Sequence, residues 1–195
     1  MSSLTLHDHK AHTFTRDEFF HMVEQGWFND QRVEFIEGSV IDMSPTSSEH
    51  GFCVSRAQLA FWSALGDTAW VRAQLPLDLA PRSYVLPDLA IVTGGLMTHR
   101  GKDNPTQAML VVEFSESSLS FDRNYKASLY AASGIQEYWI VNLPDRQVEV
   151  HRCIVKDPAA ECGSKYSDII ISRSGDNIQP LEFPLVHIAV ADLLP

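Results

Sequence analysis

Several quick markers of function are missing from this sequence. No stretch approaches the roughly 20 consecutive apolar residues of a membrane helix, so no spanning segment is expected. The start, "MSSLTLHDHKAHTF", has no basic flank followed by an apolar run, so no secretory signal is expected either. Cysteine is scarce: only Cys53, Cys153 and Cys162 occur, an odd number at irregular spacing. That pattern fits reduced thiols in a cytoplasmic protein better than a disulfide framework. No C-x-x-C pair exists to build a cysteine zinc site. Basic residues are short as well, with 15 Lys and Arg against 25 Asp and Glu and a net charge of -10. Non-specific nucleic-acid affinity comes largely from Lys and Arg neutralising phosphates. A chain this acidic would need a local basic surface or a metal-filled site to bind nucleic acid.

What is present reads as one α/β domain. The 195 residues are 45% hydrophobic and 21% charged, enough for a sizeable core. Residues 14–26, "FTRDEFFHMVEQG", place Phe19, Met22 and Val23 at helical spacing behind Thr15 and before Gly26. "RVEFIEGSVIDMSP" alternates around Gly38 and predicts a hairpin over 32–36 and 39–43. "SSEHGFCVSRAQLAFWSALG" predicts a helix with Phe52, Leu59, Phe61, Trp62 and Leu65 on its apolar face. "AWVRAQLPLDLA", "YVLPDLAIV" and "AMLVVEFS" are strand-like, and the polar stretch 94–107 links the last two. "SFDRNYKASLYAASG" reads as a helix, "QEYWIVNLPDRQVEVHR" as two strands and "YSDIIIS" as another. The expected architecture is a central mixed β-sheet flanked by helices, preceded by a helix and a hairpin. Residues 1–13 are expected to be a mobile start to a single domain spanning 1–195.

Two carboxylates stand out. Asp88 follows a proline inside "YVLPDLAIV", and Glu113 closes the apolar run of "AMLVVEFSESS". Burying an isolated carboxylate costs several kcal/mol unless it is paired, hydrogen-bonded or metal-bound. If the two strands are antiparallel neighbours, Asp88 at the start of one lies beside Glu113 at the end of the next. A hard divalent cation, Mg²⁺ or Mn²⁺, would relieve the repulsion between them. The following helix offers Asp122, Lys126 and Tyr130 at i, i+4 and i+8. Lys126 could stabilise developing negative charge, with Asp122 as its expected partner.

Each residue also has a plainer reading. Asp88 could simply start a strand, and Lys126 with Asp122 could be a solvated helix pair. Glu34 and Glu37 could be exposed hairpin positions. His50 is more often a surface histidine than a ligand. His7, His9 and His12 lie in the polar start. His99, Arg100 and Lys102 could touch phosphate or form an ordinary loop.

Pro87-Asp88, Glu113 in "VVEFSESS" and "DRNYKASLYAASGIQEYWIVNLPDRQVEVHR", together with "VEFIEGSVIDMSP" and His50, resemble the Uma-type branch of the PD-(D/E)XK nuclease superfamily. The resemblance runs from about residue 14 to the C-terminus. It implies a restriction-endonuclease-like fold and a Mg²⁺- or Mn²⁺-dependent endonuclease acting on DNA. Asp88 and Glu113 would then be catalytic metal ligands, Glu34 would complete the metal shell, and Lys126 would be the catalytic lysine. The superfamily pattern places lysine two residues after the glutamate, where this chain has Ser115. Lys126 would take over that role from the helix. A homodimer follows by the same analogy. The competing readings are a catalytically inactive binding or assembly module on the same fold, and a metal-dependent hydrolase of a small phosphorylated substrate.

Overall fold

The computed structural model describes residues 11–79 and 81–195. Helix α1 (Arg16–Glu24) starts with a capping box, in which the Thr15 hydroxyl accepts from Glu18 N and the Glu18 carboxylate accepts from Thr15 N. Phe19 and Met22 face inward, and Phe19 stacks on Phe35 with ring centroids 4.8 Å apart. Strands β1 (Val33–Ile36) and β2 (Ser39–Asp42) form the expected hairpin. Its two turn residues, Glu37 and Gly38, have φ of 49° and 85°, as a two-residue hairpin turn of the primed type requires. A Cβ on Gly38 would come within 2.9 Å of Thr13, so the turn leaves no room for a side chain.

Helix α2 (Ser48–Leu65) is capped by Ser47, whose hydroxyl accepts from His50 N at 3.1 Å. Its buried face is Cys53, Val54, Ala57, Phe61 and Leu65. Phe52, Leu59 and Trp62, expected on that face, are instead exposed. The helix carries two apolar stripes, and the one containing the small residues Cys53 and Ala57 lies against the sheet.

The strand-like runs in the middle of the chain break in unexpected places. "AWVRAQLPLDLA" splits into β3 (Ala69–Ala73) and β4 (Leu77–Leu79), and "YVLPDLAIV" splits into β5 (Ser83–Val85) and β6 (Leu89–Thr93). β4 and β5 join the hairpin in a four-stranded sheet ordered β2-β1-β5-β4. β3 and β6 enter a six-stranded sheet ordered β10-β9-β8-β7-β6-β3, with β7 (Leu110–Ser115), β8 (Tyr138–Asn142), β9 (Gln147–Lys156) and β10 (Ser164–Arg173). Leu86, Pro87 and Asp88 therefore bridge the two sheets. The six-stranded sheet is mixed, because β7 and β8 are parallel and its other pairs antiparallel. The parallel pair is connected through α3 (Leu119–Phe121), a π-helical turn at Asp122–Lys126, and α4 (Ala127–Ala132). One hydrophobic cluster joins α2 to the sheet and the C-terminal segment, and a second joins α4 to it. The sheet is thus covered by helices, as expected. The tail adds β11 (Asn177–Ile178), paired with β12 (Ile188–Ala189). No helix among the described residues is long and apolar enough to cross a membrane.

Of the N-terminal histidines, His7 and His9 lie outside the described residues, as does most of the stretch expected to be mobile. His12 is exposed.

Candidate active site

β6 and β7 are antiparallel, with Leu89 facing Val112 and Ala90 facing Val111. One step further along the same register, Asp88 stands opposite Glu113. Their backbone and side chains interlock. Glu113 Oε2 accepts from Asp88 N at 3.1 Å, and Asp88 Oδ2 accepts from Phe114 N at 2.9 Å. Both residues are nearly inaccessible, at 8% and 4% exposure.

Each carboxylate is then held differently. Asp88 Oδ1 lies 2.9 Å from His50 Nε2 and accepts from Gln74 Nε2 at 3.2 Å. Burial pushes the Asp88 carboxyl up, but His50 and the Phe114 amide outweigh it and hold it below the usual carboxylate range. The bond to Asp88 raises His50 in turn, against the pull of burial. Gln74, at φ 51°, also donates its backbone N–H to Asp88 O at 3.1 Å. A non-glycine residue in this left-handed conformation is uncommon, and such conformations cluster at functional sites.

Glu113 Oε1 accepts from Lys126 Nζ at 2.9 Å and from Tyr130 OH at 2.7 Å. Burial is the largest influence on Glu113 and drives its carboxyl up to about 8. Lys126 opposes the shift, while Asp88, Asp122 and Glu34 reinforce it. Lys126, itself 3% exposed, stays cationic because Glu113 and Glu34 outweigh its own desolvation. The π-helical turn that ends at Lys126 is a conformation frequent at functional sites.

Glu34, the expected third metal ligand, is fully buried on β1 and does not border the cleft described below. Its Oε1 accepts from Leu86 N at 2.9 Å and from Lys126 Nζ at 3.3 Å. Oε2 also lies 3.3 Å from Nζ but has no aligned donor. Lys126 is therefore the shared partner of Glu34 and Glu113. Asp122 does not bond Lys126 as expected. It accepts from the hydroxyls of Ser115 at 2.6 Å and Ser118 at 2.5 Å. Ser115, at the superfamily's usual lysine position, is fully buried in that contact.

Asp88, Glu113 and Lys126 open on a cleft of about 300 Å³. Arg32, Ser47, Glu116 and Phe121 stand around it. Arg32 donates to Thr46 at 2.9 Å, and Ser47 donates to Glu116 at 2.9 Å. His99, Arg100 and Lys102 do not border it. Among the described residues no group of three His, Cys, Asp or Glu side chains is assembled to hold a metal ion. The donor set nevertheless suits Mg²⁺ or Mn²⁺. Such ions bind through one or two carboxylates and take their remaining ligands from water and phosphate oxygens.

Asp88, Glu113 and Lys126, the residues expected from the sequence, border one cleft. His50, which the sequence offers both as a surface histidine and as part of the family resemblance, sits against Asp88, and Gln74 carries no signal in the sequence. Position three after the helix cap was the available clue for His50, since it points the side chain back across the helix start.

In comparisons with known proteins, no curated protein sequence matches the chain. A solved structure described as "a putative nuclease belonging to DUF820 from Anabaena variabilis" matches with a TM-score of 0.69 at 15% identity, covering 92% of this chain and 97% of that one. It shares the fold. A sequence profile described as "Uma2: Putative restriction endonuclease" matches residues 16–191, nearly the whole chain, which therefore belongs to the Uma2 family.

Proposed function

We propose that this chain is a single-domain Mg²⁺- or Mn²⁺-dependent endonuclease that hydrolyses phosphodiester bonds in DNA. The observation that carries the proposal is the interlock of Asp88 and Glu113 on one cleft, with a buried lysine beside Glu113. Asp88 and Glu113 would hold the metal, which supplies a water of lowered pKa and neutralises charge on the phosphoryl oxygens. Lys126 holds Glu113 in place and presents a fixed positive charge to the developing oxyanion. Tyr130 fixes the same Glu113 oxygen from the other side. Glu34 keeps Lys126 in position, and we assign it to the lysine rather than to the metal. Asp88 is kept ionised by His50 and the Phe114 amide, as a metal ligand must be. Cutting both strands of a duplex takes two such centres, so the working form is proposed to be a homodimer. Three free thiols, Cys53, Cys153 and Cys162, favour the cytoplasm.

Incubating supercoiled plasmid with Mg²⁺ or Mn²⁺ tests the reading. Nicking by the wild type that is lost in EDTA and in Asp88→Ala is expected. Equal nicking by Asp88→Ala would refute it. The acidic cleft rim of Asp42 and Glu116 favours one rival, a binding module without catalysis. That rival predicts DNA or protein binding with no nicking under any metal.

A further inference from the structure

The six-stranded sheet ends in two unlike edges. At one, β3 is five residues long, and Arg72 lays its guanidinium over Trp70 at 4.2 Å. At the other, β10 is ten residues long and carries Ile169, Ile170 and Ile171 in succession, 51%, 46% and 43% exposed. Successive strand residues point to opposite faces, so apolar surface is exposed on both sides of this edge. Ile169 borders the α4 side beside His151, and Ile170 borders the side of β11 beside Ile178. Protected edges carry lysine, proline, bulges or inward charges. From Ile169 to Ser172 this strand has none. Its outward N–H and C=O groups form a template for another extended strand.

We infer that β10 is a self-pairing edge, joining a second copy of this chain antiparallel through Ile169–Ile171 into a continuous twelve-stranded sheet. The register follows from symmetry. Facing residues of an antiparallel pair share a sheet face, so the two-fold axis must pass through a residue opposite its own copy. Centring on Ile170 sets Ile169 against the partner's Ile171, Asp168 against the partner's Ser172 and Ser167 against the partner's Arg173. Three isoleucine pairs form and no like charges meet. Centring on Asp168 would oppose it to its own copy, and centring on Ile169 would set Lys165 against the partner's Arg173. Like charges directly opposite are destabilising. Centring on Ile171 sets Ile169 against the partner's Arg173 and loses two of the isoleucine pairs. Glu113 lies three strands in from this edge. Two centres would therefore stand about seven strand spacings apart on one face of the sheet, roughly 34 Å measured across the strands. The inference rests on the homodimer reading above but not on nuclease chemistry.

Sedimentation equilibrium of the full chain over a concentration series tests it. The wild type should run at twice 21.9 kDa and Ile170→Lys at 21.9 kDa, with an unchanged circular dichroism spectrum. Ile170→Cys oxidised with diamide should give a disulfide-linked dimer absent from the oxidised wild type, because directly opposed strand positions lie within disulfide reach. A monomeric wild type, a dimeric Ile170→Lys, assemblies larger than two copies, or no cross-link in Ile170→Cys would each overturn the inference. Mn²⁺ binding retained by monomeric Ile170→Lys would show that the metal site stands apart from the interface.

Discussion

Replacing Lys126 with methionine removes the ammonium that lies 2.9 Å from Glu113 and 3.3 Å from Glu34 while keeping most of the side-chain volume. Both carboxylates are almost wholly buried, so neither regains water when the cation is lost. Removing one partner of a buried ion pair costs about 3–5 kcal/mol, because the remaining charge is left uncompensated. The cost depends on pH in a definite direction. The folded Glu113 carboxyl is raised to about 8 from an ordinary 4.5. A raised acid contributes its stability below the unfolded value and loses it as pH rises through the folded one. Without Lys126, Glu113 takes up a proton more readily still. The variant should therefore be less destabilised at pH 5.5 than at pH 8.5. For a chain of this length the cost corresponds to about 6–20 °C in Tm at alkaline pH. Thermal unfolding in EDTA at the two pH values is the assay. Adding Glu34→Gln to Lys126→Met should restore part of the loss, as expected for contacting residues. An unchanged Tm, or a larger loss at pH 5.5 than at pH 8.5, would refute the reasoning.

Three further predictions concern the same cluster. Mn²⁺ binding must displace the proton from Glu113, so affinity should rise by up to about tenfold per pH unit between about 6 and 8 and level off above; calorimetry showing a flat profile would contradict this. Tyr130→Phe removes one hydrogen bond to the Glu113 carboxylate and should lower stability by about 1.5–3 kcal/mol, read as a reduced urea midpoint at constant m; an unchanged midpoint counts against the contact. His50→Ala removes the imidazole that helps keep Asp88 ionised, so the low-pH limb of Mn²⁺ binding that belongs to Asp88, below the one set by Glu113, should move to higher pH, and a limb that stays in place would argue against that role.

The site was partly legible because charge inside an apolar run is conspicuous. Asp88 and Glu113 interrupt runs that read as buried strands, and the antiparallel register that brings them together followed from the linker between them. Lys126 was legible as a helix residue near their edge, but its partner was not. An i, i+4 rule would join it to Asp122, yet those residues form a π-helical turn, and the serines at 115 and 118 take Asp122 instead. Backbone widening of this kind leaves no mark in hydrophobic periodicity. The division of "YVLPDLAIV" between two sheets was hidden for a similar reason. Pro87 signals a break, but not that the strands on either side pair with different partners. On α2 the two apolar stripes look like one face in the sequence, since composition does not show which of them the sheet covers. Glu34 comes to the site only through the family resemblance, since the residues alone allow an exposed hairpin position, and its place beside Lys126 depends on how β1 sits against β5.

The most direct test of the central claim is a calorimetric Mn²⁺ titration of the wild type, Asp88→Ala and Glu113→Gln, with the same samples assayed for plasmid nicking. Binding and nicking by the wild type, with both lost in each variant, is the predicted result. A wild type that binds no Mn²⁺, or an Asp88→Ala variant that binds it as tightly, would contradict the account.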